Sequence, residues 1–158
     1  MKKQKGFSLI ELLIVVAIIL IIAAIAIPNL LKSRMAANES SAVGSLRTIN
    51  TAEVTYASGC PNVGFSVSGS LTELNTGAVC AGGTGIIDNV LATGNKSGYT
   101  FAYTSATNGA PVNTTYTTTA VPQKVGVTGQ RGFFSDQTGV IRYTLDGSAP
   151  TNAASALQ

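Results

Sequence analysis

The sequence predicts an α+β protein: a long N-terminal helix, bare and apolar in its first half, covered in its second half by a small antiparallel sheet. Three observations carry this. Every residue from Leu12 to Ile27 is apolar. Val43, Leu46, Ile49, Ala52 and Tyr56 then recur at three- and four-residue steps, the period of one helical face. After Gly59 the pattern changes to short alternating runs rich in Thr, Tyr and Phe, separated by Gly, Asn and Asp.

The first element runs from Phe7 to Leu31. At a rise of about 1.5 Å per residue it spans roughly 37 Å, enough to cross a hydrocarbon core of about 30 Å. Pro28 falls near its far end. A proline inside a helix removes a backbone hydrogen bond and bends or opens the ladder, so it marks where the membrane segment hands over to a different environment. Beyond it the apolar stripe of residues 43–56 alternates with Asn38, Ser45, Arg47, Asn50 and Glu53, the mark of an amphipathic helix that packs one face on a partner layer. Ser58-Gly59 followed by Cys60-Pro61 supplies the stop. One continuous helix from Phe7 to about Ser58 would be roughly 78 Å long, more than the remaining chain can enclose. Half of it must lie in lipid or against other copies.

The strand region is read in the same way. Tyr99 to Thr104 and Thr114 to Val121 alternate as half-buried strands, and Arg131–Ser135 and Val140–Thr144 flank a turn at Asp136–Gly139. Three or four antiparallel strands are expected, with mostly loop from Pro61 to Lys96 and a loose tail after Asp146.

Composition narrows the function. The chain has 158 residues and no histidine, which removes Ser-His-Asp and Cys-His catalysis and any histidine-containing metal site. Nothing in the sequence points to an enzyme or a cofactor. The net charge of +3 arises from Lys2, Lys3 and Lys5; without them basic and acidic side chains balance at seven each. The remainder carries no basic stripe for nucleic acid, and the leader lysines read as positive-inside residues. Asp136 and Asp146 stand ten residues apart and match no defined metal-binding loop, and turn chemistry explains both, so no metal site is assigned. Thr115, Thr117, Thr118 and Thr119 are equally well explained by β-propensity as by glycosylation. No aromatic residue stands between Phe7 and Tyr56, so the helix offers no ladder of stacked rings.

The apolar run alone fits a single-pass anchor or a secretory signal peptide, since Ala24-Ile25-Ala26 matches a small-residue cleavage site behind a basic leader. Two features weigh against the signal peptide. Glu11 interrupts the start of the apolar region, and the helical stripe continues past Pro28. A carboxylate at mid-bilayer costs on the order of 3 kcal/mol. At about 6 Å along the axis from Phe7 the cost is well below that, but the membrane gives Glu11 no reason to be there.

The segment Lys5-Gly6-Phe7-Ser8-Leu9-Ile10-Glu11 closely resembles the processing site of type IV pilins and of the related pseudopilins of type II secretion systems. Gly6, Phe7 and Glu11 match that pattern position by position, and Pro28 falls where the family's helix also carries a proline. The resemblance is specific over roughly residues 1–55. It implies a leader of residues 1–6, cut by a prepilin peptidase between Gly6 and Phe7 with methylation of the new amine. Residues 7–30 would then be a transmembrane and filament-core helix, and residues 31–158 a periplasmic or extracellular domain. The implied partners are membrane lipid before assembly, an inner-membrane assembly platform, and many copies of the same chain in a helical filament.

In that filament Glu11 would face the Phe7 amine of a neighbour. At about 4 Å and an effective dielectric near 20 the pair attracts by roughly 4 kcal/mol before desolvation is subtracted. A subunit inserted at the wrong height would leave both charges buried and unpaired, so the pair sets register. Export also places Cys60 and Cys80 in an oxidising compartment, where a bridge closing about 20 residues would contribute roughly 3 kcal/mol. Pilins commonly carry their disulfide near the C-terminus, so this position departs from that plan. The alternatives are a major pseudopilin in a periplasmic secretion piston and a secreted or membrane-anchored binding domain.

Overall fold

The computed structural model describes residues 7–67, 69–76 and 85–157. The chain divides into two compact units, with the division after Arg34.

The first unit is the start of helix α1 (Leu9–Gly59), which holds Pro28 within it. Its large apolar side chains are all exposed, from 79% at Leu9 to 40% at Leu31. The helix begins two residues later than the sequence suggests and ends at Gly59, where a helix stop was expected.

Among the described residues the second unit contains the rest of α1, two short helices and one sheet. The helices are α2 (Thr72–Thr76) and α3 (Asn89–Ala92), the latter capped by Asp88, whose carboxylate accepts from Leu91 N–H. Six strands follow: β1 (Asn95–Lys96), β2 (Tyr99–Ala106), β3 (Thr115–Pro122), β4 (Gly132–Asp136), β5 (Arg142–Thr144) and β6 (Ser155–Ala156). Each pairs antiparallel with the next in a simple meander. The expected turn closes the β4–β5 hairpin, with Gly139 N–H donating to Asp136 O and Gly139 at a φ of +74° that favours glycine.

The core lies between α1 and the inner sheet face. Leu46, Ile49, Ala52 and Tyr56 are buried as the stripe predicts, joined by Ala42. Against them come Tyr99, Phe101 and Tyr103 from β2, Tyr116 and Ala120 from β3, and Phe133 from β4. Alternation decides which side chains enter: in β3 every second residue, from Tyr116 to Pro122, is buried, while Thr115, Thr117, Thr119 and Val121 are half-exposed.

Three expectations are corrected. The sheet has six strands rather than three or four, because β1 and β6 are two residues each and too short to show a period. The tail after Asp146 is not loose. Leu157 N–H donates to Ile141 O at 2.7 Å, an Arg142 guanidinium nitrogen donates to Ala154 O, and Leu157 packs on the core. Pro150, Thr151 and Asn152 line one groove with Phe134, which shields that ring on the outer face. Gly132 permits the close approach of the β5–β6 connection, since a Cβ there would stand 2.0 Å from Ser148 O. Such a tail is held by backbone bonds and isolated side chains, which leave no periodicity to read. Finally, Ser45 and Glu53, assigned to the polar side of the helix, are buried. Glu53 is reached by donors from elsewhere in the chain, which makes a buried carboxylate tolerable.

Candidate functional site

The candidate site is the N-terminal junction. Gly6 lies outside the described residues; Phe7 is 87% exposed. Ser8 immediately precedes α1, and Glu11 stands in its first turn. The Glu11 carboxylate accepts a hydrogen bond from Ser8 N–H at 2.8 Å, while Ser8 O accepts from Leu12 N–H. A helix leaves its first N–H groups without intrahelical partners, and a Ser-x-x-Glu sequence places the acid where it can reach back to one of them. A negative charge there also complements the positive end of the helix dipole. Ser8-Leu9-Ile10-Glu11 thus has a local use for its carboxylate, and the Ser-x-x-Glu spacing is the sequence signal for it.

Downstream of Glu11 the helix is long and apolar enough to cross a membrane by length and composition. Pro28 sits inside α1, six residues before the division between the units. Cys60 is buried just past the helix end, with its N–H on Tyr56 O and its carbonyl accepting from Val63 and Gly64. Cys80, the other member of the expected pair, lies outside the described residues.

Two further glutamates on α1 carry the polar architecture of the second unit. Glu39 is buried and accepts from Gln130 N–H and Arg131 N–H through Oε1 and from Arg131 Nε through Oε2, the last at 2.8 Å. Burial works against its charged form, but the two N–H groups and the guanidinium outweigh it, so its pKa lies below the ordinary carboxylate value. The Arg131 guanidinium also lies over the rings of Phe133 and Tyr143. Glu53, fully buried, accepts from Ser66 N–H and Ser66 Oγ, and Tyr103 OH donates to Ser66 O. Burial dominates there, and the bonds from Ser66 only partly offset it, so the Glu53 pKa is raised. Burial likewise raises the Tyr103 and Tyr116 hydroxyls. The apolar stripe of α1 is visible in its local period, whereas nothing local marks the distant loops that supply donors to these two acids.

Asp136 and Asp146 are each engaged in their own turn, accepting from Thr138 and from Ser148 through both N–H and hydroxyl. Among the described residues no three His, Cys, Asp or Glu side chains form a group that could hold a metal ion.

The junction and the exposed apolar helix define a class first. Residues 1–27 match the family model described as the prokaryotic N-terminal methylation motif. Within that class, the chain is 48% identical over 56 residues to the type IV major pilin protein PilA of Myxococcus xanthus, covering 35% of this chain and 26% of the relative. It is 62% identical over 40 residues to the type IV wide pilus major component PilA4 of Thermus thermophilus, covering 25% of this chain and 30% of that one. A fimbrial protein of Pseudomonas aeruginosa is 52% identical over 52 residues, covering 33% and 34% of the respective chains. The match therefore spans only a quarter to a third of the length of these curated relatives. No solved structure gives a significant match. The motif and the relatives support a member of the type IV pilin family.

Proposed function

We propose that the chain is the structural subunit of a type IV pilus or pilus-like filament, cut by a prepilin peptidase after Gly6, methylated at Phe7 and polymerised through the first half of α1. The observation that carries this reading is the pairing of the methylation motif with a helix whose apolar side chains, from Leu9 to Leu31, are exposed on every side. Burying that surface favours first a bilayer and then a bundle of like helices, at roughly 25 cal/mol for each Å² removed from water. The precursor would reside in the inner membrane and the product outside the cell. The relatives are pilus or fimbrial proteins by name, which favours a surface filament over a periplasmic secretion piston.

Glu11 then has two uses in succession. In the single subunit it caps Ser8 N–H; in the filament it pairs with a neighbour's methylated Phe7 amine and sets register. Pro28 ends the stretch that packs among like helices. A Cys60–Cys80 bridge would tie the loop after α1 to the helix end.

Peptide mapping of the native N-terminus tests the processing step. The expected result is a methylated phenylalanine start at residue 7; a start at Ile27, or retention of Met1, overturns it. Two substitutions separate the uses of Glu11. Glu11→Gln keeps an acceptor for Ser8 N–H but removes the charge, whereas Glu11→Ala removes both. Both variants are expected to insert in the membrane and to be excluded from fibres. Normal fibres from Glu11→Gln would show that capping, not charge pairing, is what assembly requires.

A further inference from the structure

The loop between β3 and β4 presents an unusual tip. Val125 and Val127 are 48% and 42% exposed, with Gly126 between them at a φ of +77°. The loop is closed on itself: Val127 N–H and Thr128 N–H both donate to Lys124 O, Gly126 N–H donates to Gly129 O, and Lys124 N–H donates to Thr128 Oγ1. It is also fastened to α1, through Asn38 Nδ2 donating to Thr128 O at 2.8 Å and through Glu39 holding Gln130 and Arg131. The adjoining β5–β6 connection adds Leu145, 70% exposed, whose carbonyl accepts from the Gln130 side chain. That connection also carries Asp146, its carboxylate engaged by Ser148.

We propose that this tip, Lys124 to Thr128, is a bilayer-contact element that rests in the headgroup zone of an anionic membrane before the subunit is assembled. The inference rests on the reading of the first half of α1 as a membrane span. Asn38 follows Leu31, the last residue of the apolar element, by seven residues. Even a fully extended chain keeps the loop's anchor within about 25 Å of the span's end. Lys32 and Arg34 fall between them, Lys124 is exposed on the loop, and neither residues 32–38 nor residues 123–129 contain an acid. The exposed Lys124 beside two exposed apolar side chains complements anionic headgroups and the acyl boundary beneath them, as in other interfacial elements. The N–H groups of Lys124, Gly126, Val127 and Thr128 are already bonded within the loop, which lowers the cost of moving it out of bulk water.

The chain has no tryptophan, so a single introduced one reports its own surroundings. The full chain carrying Val127→Trp is placed in vesicles of phosphatidylethanolamine and phosphatidylglycerol brominated near the headgroup end of the acyl chain. Ala106→Trp, exposed at the opposite end of β2, and Ile18→Trp, inside the apolar run, are compared with it. The expected result is a blue-shifted Val127→Trp emission that the brominated lipid strongly quenches, an unquenched Ala106→Trp, and loss of the Val127→Trp quenching when Lys124→Glu is added. An unquenched Val127→Trp beside a lipid-protected Ile18→Trp overturns the proposal and leaves the membrane span intact. A blue shift without quenching also overturns it, since the tip is then covered by protein. An Ile18→Trp that stays in water overturns the span, and the loop proposal with it.

Discussion

Two stretches of α1 carry acids on apolar faces and treat them oppositely. Glu11 stands among exposed leucines and isoleucines, and its carboxylate bonds to Ser8 three residues away. Glu39 and Glu53 are buried, and their partners lie 13 to 92 residues away. The first stretch is built from local bonds and leaves its apolar surface for something outside the chain. The second is built from distant bonds and closes its apolar surface within the chain. Hydrophobic side chains thus stabilise the isolated subunit only where the sheet covers them, which is why residue type alone does not predict the effect of a substitution.

The largest effect that sharpens this contrast comes from two leucines. Leu46→Ala leaves a cavity in the core and is expected to destabilise the second unit by about 3 kcal/mol, whereas Leu20→Ala changes it by under about 0.5 kcal/mol. Urea unfolding followed by circular dichroism in the near ultraviolet reads the difference, and equal effects would break the comparison. Glu39→Ala ranks next. It strands two N–H groups and the partly exposed Arg131, so a loss of about 2 kcal/mol is expected in the same assay. Glu39→Gln, which keeps an acceptor, loses less.

The smallest effect is a pH dependence with opposite signs for the two buried acids. Glu39 has a folded pKa below its unfolded value, so the stability it contributes is present above the ordinary value of 4.5 and is lost as pH falls through the folded pKa. Glu53 has a folded pKa above that value, so its contribution is present at acid pH and is lost as pH rises from 4.5 through the raised pKa. Glu53→Gln can accept from Ser66 N–H and donate to Ser66 Oγ, retaining both contacts without a charge. Its stability relative to the native chain is expected to rise as pH increases from 4.5 through the raised pKa of Glu53. A constant difference would mean that Glu53 titrates as it does in the unfolded chain.

Much of this architecture is legible before any coordinates are considered. The run from Leu12 to Ile27, the recurrence of Leu46, Ile49, Ala52 and Tyr56, and the alternation through Tyr99, Phe101 and Tyr103 are local patterns, and each matches the element it forms. The N-terminal methylation motif was legible for the same reason, since it is contiguous within residues 1–27. What stayed hidden depends on long-range pairing. β6 has two residues and no period, and is held by its register against Arg142 and Tyr143.

By itself the sequence determined where the helix runs, which of its faces is apolar and where an acid interrupts it, because helical period and hydrophobicity act within a few residues. Only the tertiary structure decided that Glu39 and Glu53 lie inside, that the tail is part of the sheet and that the Lys124–Thr128 tip is clamped to α1. A buried carboxylate is acceptable only when donors reach it, and those donors come from residues that folding alone brings near.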